Sequence, residues 1–376
     1  MPLKKSISQN SPAAEAGADQ QQTSVNARRP RGERCQDPTF IELKKAASKL
    51  PRHFPEGGME LKRSLLQVAT TGAAFFAMLA LMAVVSGTMY WLTLLLAIPT
   101  AGLLVRLFIV QHDCGHGSYF KLKSSNDILG NMISVLTLTP YGNWSRSHAA
   151  HHATSGNLDR RGRGDVITMT VEEYQELSPL GRLGYRLFRN PIIMNFIGAP
   201  VNFIILQRLP TGRSWRNRDD RNSILALNLA LVVVFGIPMV LFGVGKVLSI
   251  YVPMMTIAAW AGGWLFYVQH QFEGTCWERD ENWDFHSASV IGSSYFELPP
   301  LLRWFTGSIG LHHIHHLCSR IPNYRLQAIH EAFPEISSMA HRLNMVQSLK
   351  CWRLALWDEK NNKLIGFSDL KHQAVS

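Results

Sequence analysis

The sequence predicts an all-α integral membrane protein: four transmembrane helices in two hairpins beneath a cytoplasmic, histidine-rich catalytic cap. Three observations predict it. Four long apolar runs stand out from a chain of 376 residues that is 46% hydrophobic, very short links join them in pairs, and histidines gather where the runs end.

Leu65–Val85 runs 21 residues without a charge, and Met89–Val110 runs 22 with Arg106 alone. Ser223–Gly245 and Val247–Gln269 each run 23 residues without one. At 1.5 Å per residue, each covers a hydrocarbon core of about 30 Å. Only Ser86–Thr88 and Lys246 interrupt the two pairs, so each pair folds back as a hairpin. Buried helices of a large soluble domain are the competing explanation, and paired uncharged runs of this length argue against it.

Basic residues set the orientation. Met1–Arg63 holds 12 Lys/Arg, His112–Arg221 holds 14 and Gln271–Ser376 holds 10, while the two hairpin tips hold one between them. Positive segments stay cytoplasmic, which places both termini and the central loop there. The net charge of +11 is therefore mainly a topology signal. No basic stripe with interleaved aromatics points to nucleic acid. Arg106 is the one charge within a run; its side chain tilts away from the cytoplasmic end, so a buried structural partner is expected.

The remaining segments follow in order. Residues 1–39, rich in Gln, Ala, Ser and Arg, read as a disordered tail with no cleavable signal peptide. The membrane domain covers 40–330, opening on a juxtamembrane segment, Phe40–Arg63. Ile128–Pro140 and Ile192–Leu206 are too short to span and suit helices in the interface. Between them lies a polar loop, followed by a short helix from near Thr170. Residues 331–376 form a cytoplasmic C-terminal tail. Cys35, Cys114, Cys276, Cys318 and Cys351 lack CxxC spacing and read as free thiols.

The fifteen histidines are not scattered. His112 and His116 lie in "QHDCGHGS" at the end of the second run. His148, His151 and His152 lie in "SRSHAAHHATSGNLD", and His312, His315 and His316 in "GLHHIHHL". His270 closes the fourth run. On a helix, positions i, i+3 and i+4 share a face, so HxxxH and HxxHH each point imidazoles into one volume. Neutral imidazole suits iron, zinc, copper and nickel, and eight or nine of them exceed what one ion takes, so two transition-metal ions are expected. His313 lies about 100° around the helix from His312 and is expected to support the ligands from outside. His286 is a weak candidate; His53, His330, His341 and His372 are expected on the surface.

The set "HDCGH", "HAAHH" and "HHIHH" resembles the three histidine boxes of membrane fatty acid desaturases, and "FYVQHQFE" resembles the extra histidine before the third box in methyl-end desaturases. The similarity runs from about Ser64 to Leu326 and includes "RIPNYRL". It implies a non-haem di-iron site of two Fe ions that uses O₂ and two electrons to desaturate an acyl chain. It makes the eight box histidines catalytic and, with His270, assigns the metal ligands. Asp113, Asp159, Asp165, Glu273 and Glu297 could tune the site, although surface solvation or a salt bridge is the expected role of each. The HxxxH first box and "HHATSGNL" resemble the branch acting at or beyond C12, which implies Δ12 desaturation of oleoyl to linoleoyl. No fused carrier domain is visible, so electrons come from a separate ferredoxin or cytochrome b5-type donor. An acyl tunnel is expected between the second and fourth spans, with Trp260 and Trp264 as candidate walls.

Two rival functions share part of this pattern. A carotenoid hydroxylase or ketolase, or an alkane hydroxylase, would share the boxed histidines. A histidine-rich metal transporter would need ligands at mid-membrane, and the four runs nearly lack them.

Overall fold

The computed structural model describes residues 38–53, 59–162 and 164–370. Among the described residues, four helices are long and apolar enough to cross a membrane: Leu61–Val85, Tyr90–His116, Arg218–Phe242 and Val244–His270. The second and fourth extend beyond their uncharged runs to end on histidines. Asn217 opens the third, its side chain accepting from the amides of Asp219 and Asp220. Of the expected N-terminal tail, 1–37 lies outside the described residues; Pro38 and Thr39 open a helix, Pro38–His53.

The second span is the packing centre, with buried residues concentrated from Leu103 to Cys114. It packs along the first and fourth spans, and the third packs along the fourth. The first and third turn apolar side chains outward, among them Leu65, Phe76, Val84, Leu229, Val232 and Val240. An exposed apolar belt of this extent is what lipid accommodates and water does not.

The break between the third and fourth spans falls at Gly243 and not at Lys246. Gly243 has φ 88°, which glycine adopts freely, whereas Lys246 lies within the first turn of the next helix. A charge interrupts hydropathy without ending a helix. The first short apolar stretch becomes Lys123–Thr137, which ends at Leu138 in a left-handed turn. The second becomes a π-helical turn, Ile193–Gly198, then Ala199–Ile204 and the 3₁₀ turn Leu206–Arg208. This stretch bends by 68° from the helix Pro179–Phe188, and the bent pair has the length and composition of a broken span or a re-entrant loop.

The structure is mostly helical, with small sheets added. Met169–Thr170 pairs in parallel with Leu356–Trp357, and Leu356–Asp358 pairs antiparallel with Lys363–Ile365. Tyr295–Phe296 pairs in parallel with Arg342–Leu343. The C-terminal segment therefore folds onto the cap, with Trp357 fully buried and the helix Pro334–Met339 against Pro38–His53. The helix expected near Thr170 is Val171–Glu176, capped by a Thr170–Glu173 capping box. Cys114, Cys276, Cys318 and Cys351 are thiols outside any disulfide, and Cys35 lies outside the described residues.

Arg106 has the partner expected of it. It donates to the Trp304 carbonyl and, at 3.3 Å, to Thr71 Oγ1, with its guanidinium 4.3 Å above the Trp304 ring. Nearby, the backbone leading into the third histidine box is held flush against a strand. The Phe296 amide donates to Gly310 O at 2.8 Å, and a Cβ at Gly310 would lie 2.3 Å from Phe296 O. Gly310→Ala is expected to destabilise the protein by about 1–3 kcal/mol through overpacking. The readout is a lowered thermal midpoint of the detergent-solubilised protein; an unchanged midpoint would contradict the contact.

Candidate metal centre

His112 and His116 occupy the last two turns of the second span, ring centroids 4.7 Å apart. His148, His151 and His152 lie on the helix Tyr141–Thr154, which starts after Pro140 and projects them toward the span's end. His270 is the final residue of the fourth span, and His312, His315 and His316 lie on the six-residue helix His312–Leu317. Four separate elements thus deliver nine imidazoles to one volume.

They fall into two groups, each with ligand atoms within 4.8 Å of one another. One holds His112, His116, His148, His152 and His315; the other holds His151, His270, His312 and His316. Ring nitrogens face one another across both. His152 Nε2 lies 3.1 Å from His148 Nε2 and 3.2 Å from His315 Nε2, while His270 Nε2 lies 3.1 Å from His151 Nε2 and 3.0 Å from His312 Nε2. The groups adjoin where His152 stacks on His316, centroids 4.0 Å apart.

Burial, reinforced by neighbouring imidazoles, holds His148, His152, His312, His315 and His316 neutral, well below the usual histidine range. Several ring nitrogens are buried without a partner: His116 Nε2, both nitrogens of His316, and Nδ1 of His152, His312 and His315. Neutral lone pairs converging in a dry volume are the donor set a borderline transition-metal ion requires, so the residues present fit a pair of such ions.

Two of the five candidate carboxylates differ from expectation. Asp113 and Asp165 are not solvated, and each faces a histidine of the cluster. Asp113 is buried, with Oδ1 3.2 Å from His112 Nδ1, and its Oδ2 accepts from the Asn323 amide at 2.7 Å and from Nδ2 at 2.8 Å. Asp165 Oδ1 hydrogen-bonds His151 Nδ1, and its Oδ2 is buried without a partner. Carboxylates so placed hold each ring with Nε2 directed inward. His270 Nδ1 meets the Gly292 carbonyl at 3.3 Å in the same way. The other three follow expectation: Asp159 pairs with Arg279, Glu297 with Arg342, and Glu273 is exposed.

His313 stays outside both groups, its Nε2 3.0 Å from Ser337 Oγ, with burial pushing its pKa down to about 3. His330 was expected on the surface, yet it is half-buried, Nδ1 2.7 Å from the same Ser337 hydroxyl. His341 was expected there too and is instead half-buried, stacked on Phe272. His286, half-buried near Asp284, joins neither group. His372 and the side chain of His53 lie outside the described residues. Asn323 had no assigned role; the only signal for it was its place in "RIPNYRL".

A cavity of about 470 Å³ opens onto His112, His148 and His312. The second span contributes Leu104, Val105, Phe108 and Ile109; the fourth contributes one helical face, Met255, Ala258, Ala259, Gly262, Leu265 and Phe266. Trp260 and Trp264 are not among its walls. Trp260 Nε1 donates to the Phe196 carbonyl and Trp264 stacks on Tyr267, because both lie on other faces of the helix.

Residues 58–347 match the family described as Fatty acid desaturase. The chain is 42% identical over 317 residues to the "Fatty acid desaturase" of Bacillus subtilis, covering 84% of this chain and 89% of that protein. It is 28% identical over 267 residues to a Synechocystis "sn-1 acyl-lipid omega-3 desaturase (ferredoxin)", covering 69% of this chain and 68% of the relative. To the Synechocystis "sn-1 oleoyl-lipid 12-desaturase" it is 25% identical over 238 residues, covering 63% and 66%. With the boxes assembled at the ends of apolar spans and the match running through all of them, the chain belongs to the fatty acid desaturases, a family of membrane oxidoreductases.

Proposed function

We propose that the protein is an acyl-lipid desaturase that uses O₂ and two electrons to insert a cis double bond at C12, turning oleoyl into linoleoyl chains. The observation that carries this reading is a largely apolar cavity whose walls include His112, His148 and His312 of the imidazole cluster. The five-histidine group holds one Fe ion and the four-histidine group the other. The chemistry supplied there, when iron is bound, is reductive activation of O₂ against an unactivated C–H bond.

The chain's own residues do the rest. Asp113 and Asp165 fix the tautomers of His112 and His151. Trp144 stacks on His148 at 4.6 Å and, with Phe108 and Phe266, keeps the approach dry. Methylenes are chemically alike, so position along the cavity selects the carbon that reacts. Both termini and the cap face the cytoplasm on the positive-inside argument, where a separate donor delivers electrons. The ferredoxin named in one relative favours that donor over a cytochrome b5 type.

Bond formation at the ω-3 position is the second reading, favoured by the higher identity to an ω-3 relative. Fatty-acid profiling of a host fed oleate, and separately linoleate, decides: linoleate from oleate is expected. New C9 double bonds or hydroxylated products would defeat the Δ12 reading. The cavity itself supplies another test. A Cβ at Gly262 meets nothing within 4 Å, so Gly262→Leu projects into the lumen. Conversion of oleoyl chains is expected to fall about 100-fold by misplacing the chain, with iron content unchanged. Undiminished conversion would remove the cavity from the substrate's path.

A further inference from the structure

Outside the four spans, two short helices of the cap leave large apolar side chains uncovered. Leu301, Leu302 and Trp304 are exposed on the helix Pro300–Phe305, Leu301 by 66%. Met345 and Val346 are exposed on the helix Met345–Ser348, Val346 by 73%, and Leu349 follows them. Both helices come after strands of one parallel pair, Tyr295–Phe296 with Arg342–Leu343, so the chain leaves that pair twice at the same end. A patch of this kind on a face wetted by water is costly and calls for an occupant.

Contacts with the second span fix the depth of the first helix. The Phe305 ring lies against the backbone of Gly102, where a Cβ would come within 2.7 Å of it, and the Trp304 carbonyl accepts from Arg106. From there the chain climbs the span. A Cβ at Gly307 would lie 2.9 Å from Ile109 Cγ2, and His315 reaches His112, ring centroids 4.5 Å apart. Gly102 precedes His112 by ten positions, roughly 15 Å along the helix axis. At the other end of the same span, exposed Trp91 marks the far interface, roughly 16 Å from Gly102. A hydrocarbon core of about 30 Å therefore extends well past Gly102 toward the metal centre, and the helix lies within it. Its single charge, Arg303, turns back to the cap and donates to Gln327 Oε1 at 3.4 Å.

The fourth span holds the second helix in the same way. Tyr267 donates to the Cys351 carbonyl at 3.1 Å, and Trp352 meets Trp264 with ring centroids 5.5 Å apart. Tyr267 and Trp264 both belong to the uncharged run Val247–Gln269. Lys350 and Arg353 are exposed on the turn after the helix, where long apolar stems carry charge back to the headgroups.

We propose that Pro300–Phe305 and residues 345–349 are inserted in the lipid leaflet at the metal-bearing end of the spans, a membrane contact made by the cap itself. Lipid is the occupant that the depth selects, and the patch continues the exposed belt of the spans, in which Ile98 lies one turn from Gly102.

Spin labels at Leu301→Cys and Val346→Cys, in protein reconstituted into phosphatidylcholine nanodiscs, identify the occupant by power saturation with O₂, which enters lipid, and with a water-soluble nickel chelate. The same label at Val232→Cys in the third span and at Lys363→Cys on the cap's sheet gives the lipid and water references, both positions being exposed. The unsubstituted chain is the blank for its own thiols. Both test sites are expected to match Val232→Cys, with collisions with O₂ several-fold more frequent than with nickel. Nickel access equal to that of Lys363→Cys at either site overturns the proposal. So does shielding from both reagents, the signature of a second copy seated on the patch. A bilayer-soluble diazirine applied to the unsubstituted protein, with adducts mapped by peptide mass spectrometry, repeats the test without a variant. Adducts within 300–305 and 345–349 are expected, and their absence beside a labelled third span overturns the proposal.

Discussion

His315→Ala and His316→Ala are each expected to abolish desaturation while the protein still accumulates in the membrane. The two positions belong to different histidine groups, so each substitution strips a donor from a different ion. Iron is expected to fall from about two per chain to one or fewer, and product below detection, because a buried cavity in place of an imidazole offers no replacement ligand. Insertion depends on the apolar spans and is untouched. Metal analysis of the membrane-extracted protein beside fatty-acid profiling checks both halves; normal product from either variant would defeat the ligand assignment. His330 does not serve as a neutral control here, because it shares the Ser337 hydroxyl with His313.

Asp165→Asn and Asp113→Asn are expected to lower iron affinity or turnover by 10–100-fold, the usual cost of removing a partner that orients a metal-binding histidine. Asn keeps the volume but replaces the carboxylate with a neutral amide, a weaker acceptor that polarises the imidazole less. Asp113 carries a second load, accepting both the backbone amide and the side chain of Asn323 and tying the first box to the loop after the third. Asp113→Asn should therefore also lower the thermal midpoint, whereas Asp165→Asn should act mainly on iron retention, measured by chelator competition. Full iron affinity in both would show that the carboxylates are bystanders.

The spans and the histidine clusters were legible because each has a strong one-dimensional signature. Uncharged length reports a span, and i, i+4 spacing reports a shared face. What stayed hidden depends on contacts between distant segments. Asp165 lies 14 positions from His151, with a polar loop between, and nothing in its local context separates it from Asp159, which faces an arginine. The strands are two or three residues long, too short to register an alternating pattern. Trp260 and Trp264 lie one turn apart on the fourth span, but the lumen is hollowed by small residues, Ala258, Ala259 and Gly262, one face away. The end of the third span was placed by charge, and a positive φ at Gly243 decided it.

The C-terminal clasp has a bearing on how the enzyme is born. Leu354 O receives hydrogen bonds from Arg189 and from Tyr267, and Leu356–Trp357 completes the sheet begun by Met169–Thr170. A ribosome makes these residues about 240 positions after His112 and His116. A nascent chain thus carries its first imidazoles well before the segments that complete the fold exist. In that interval nothing rigid discriminates between ions, and bare imidazoles prefer copper and zinc to ferrous iron. Correct loading is then decided by which metal the surrounding compartment keeps free at the moment of release, so expression under iron starvation should yield a well-folded, membrane-inserted protein carrying the wrong ion.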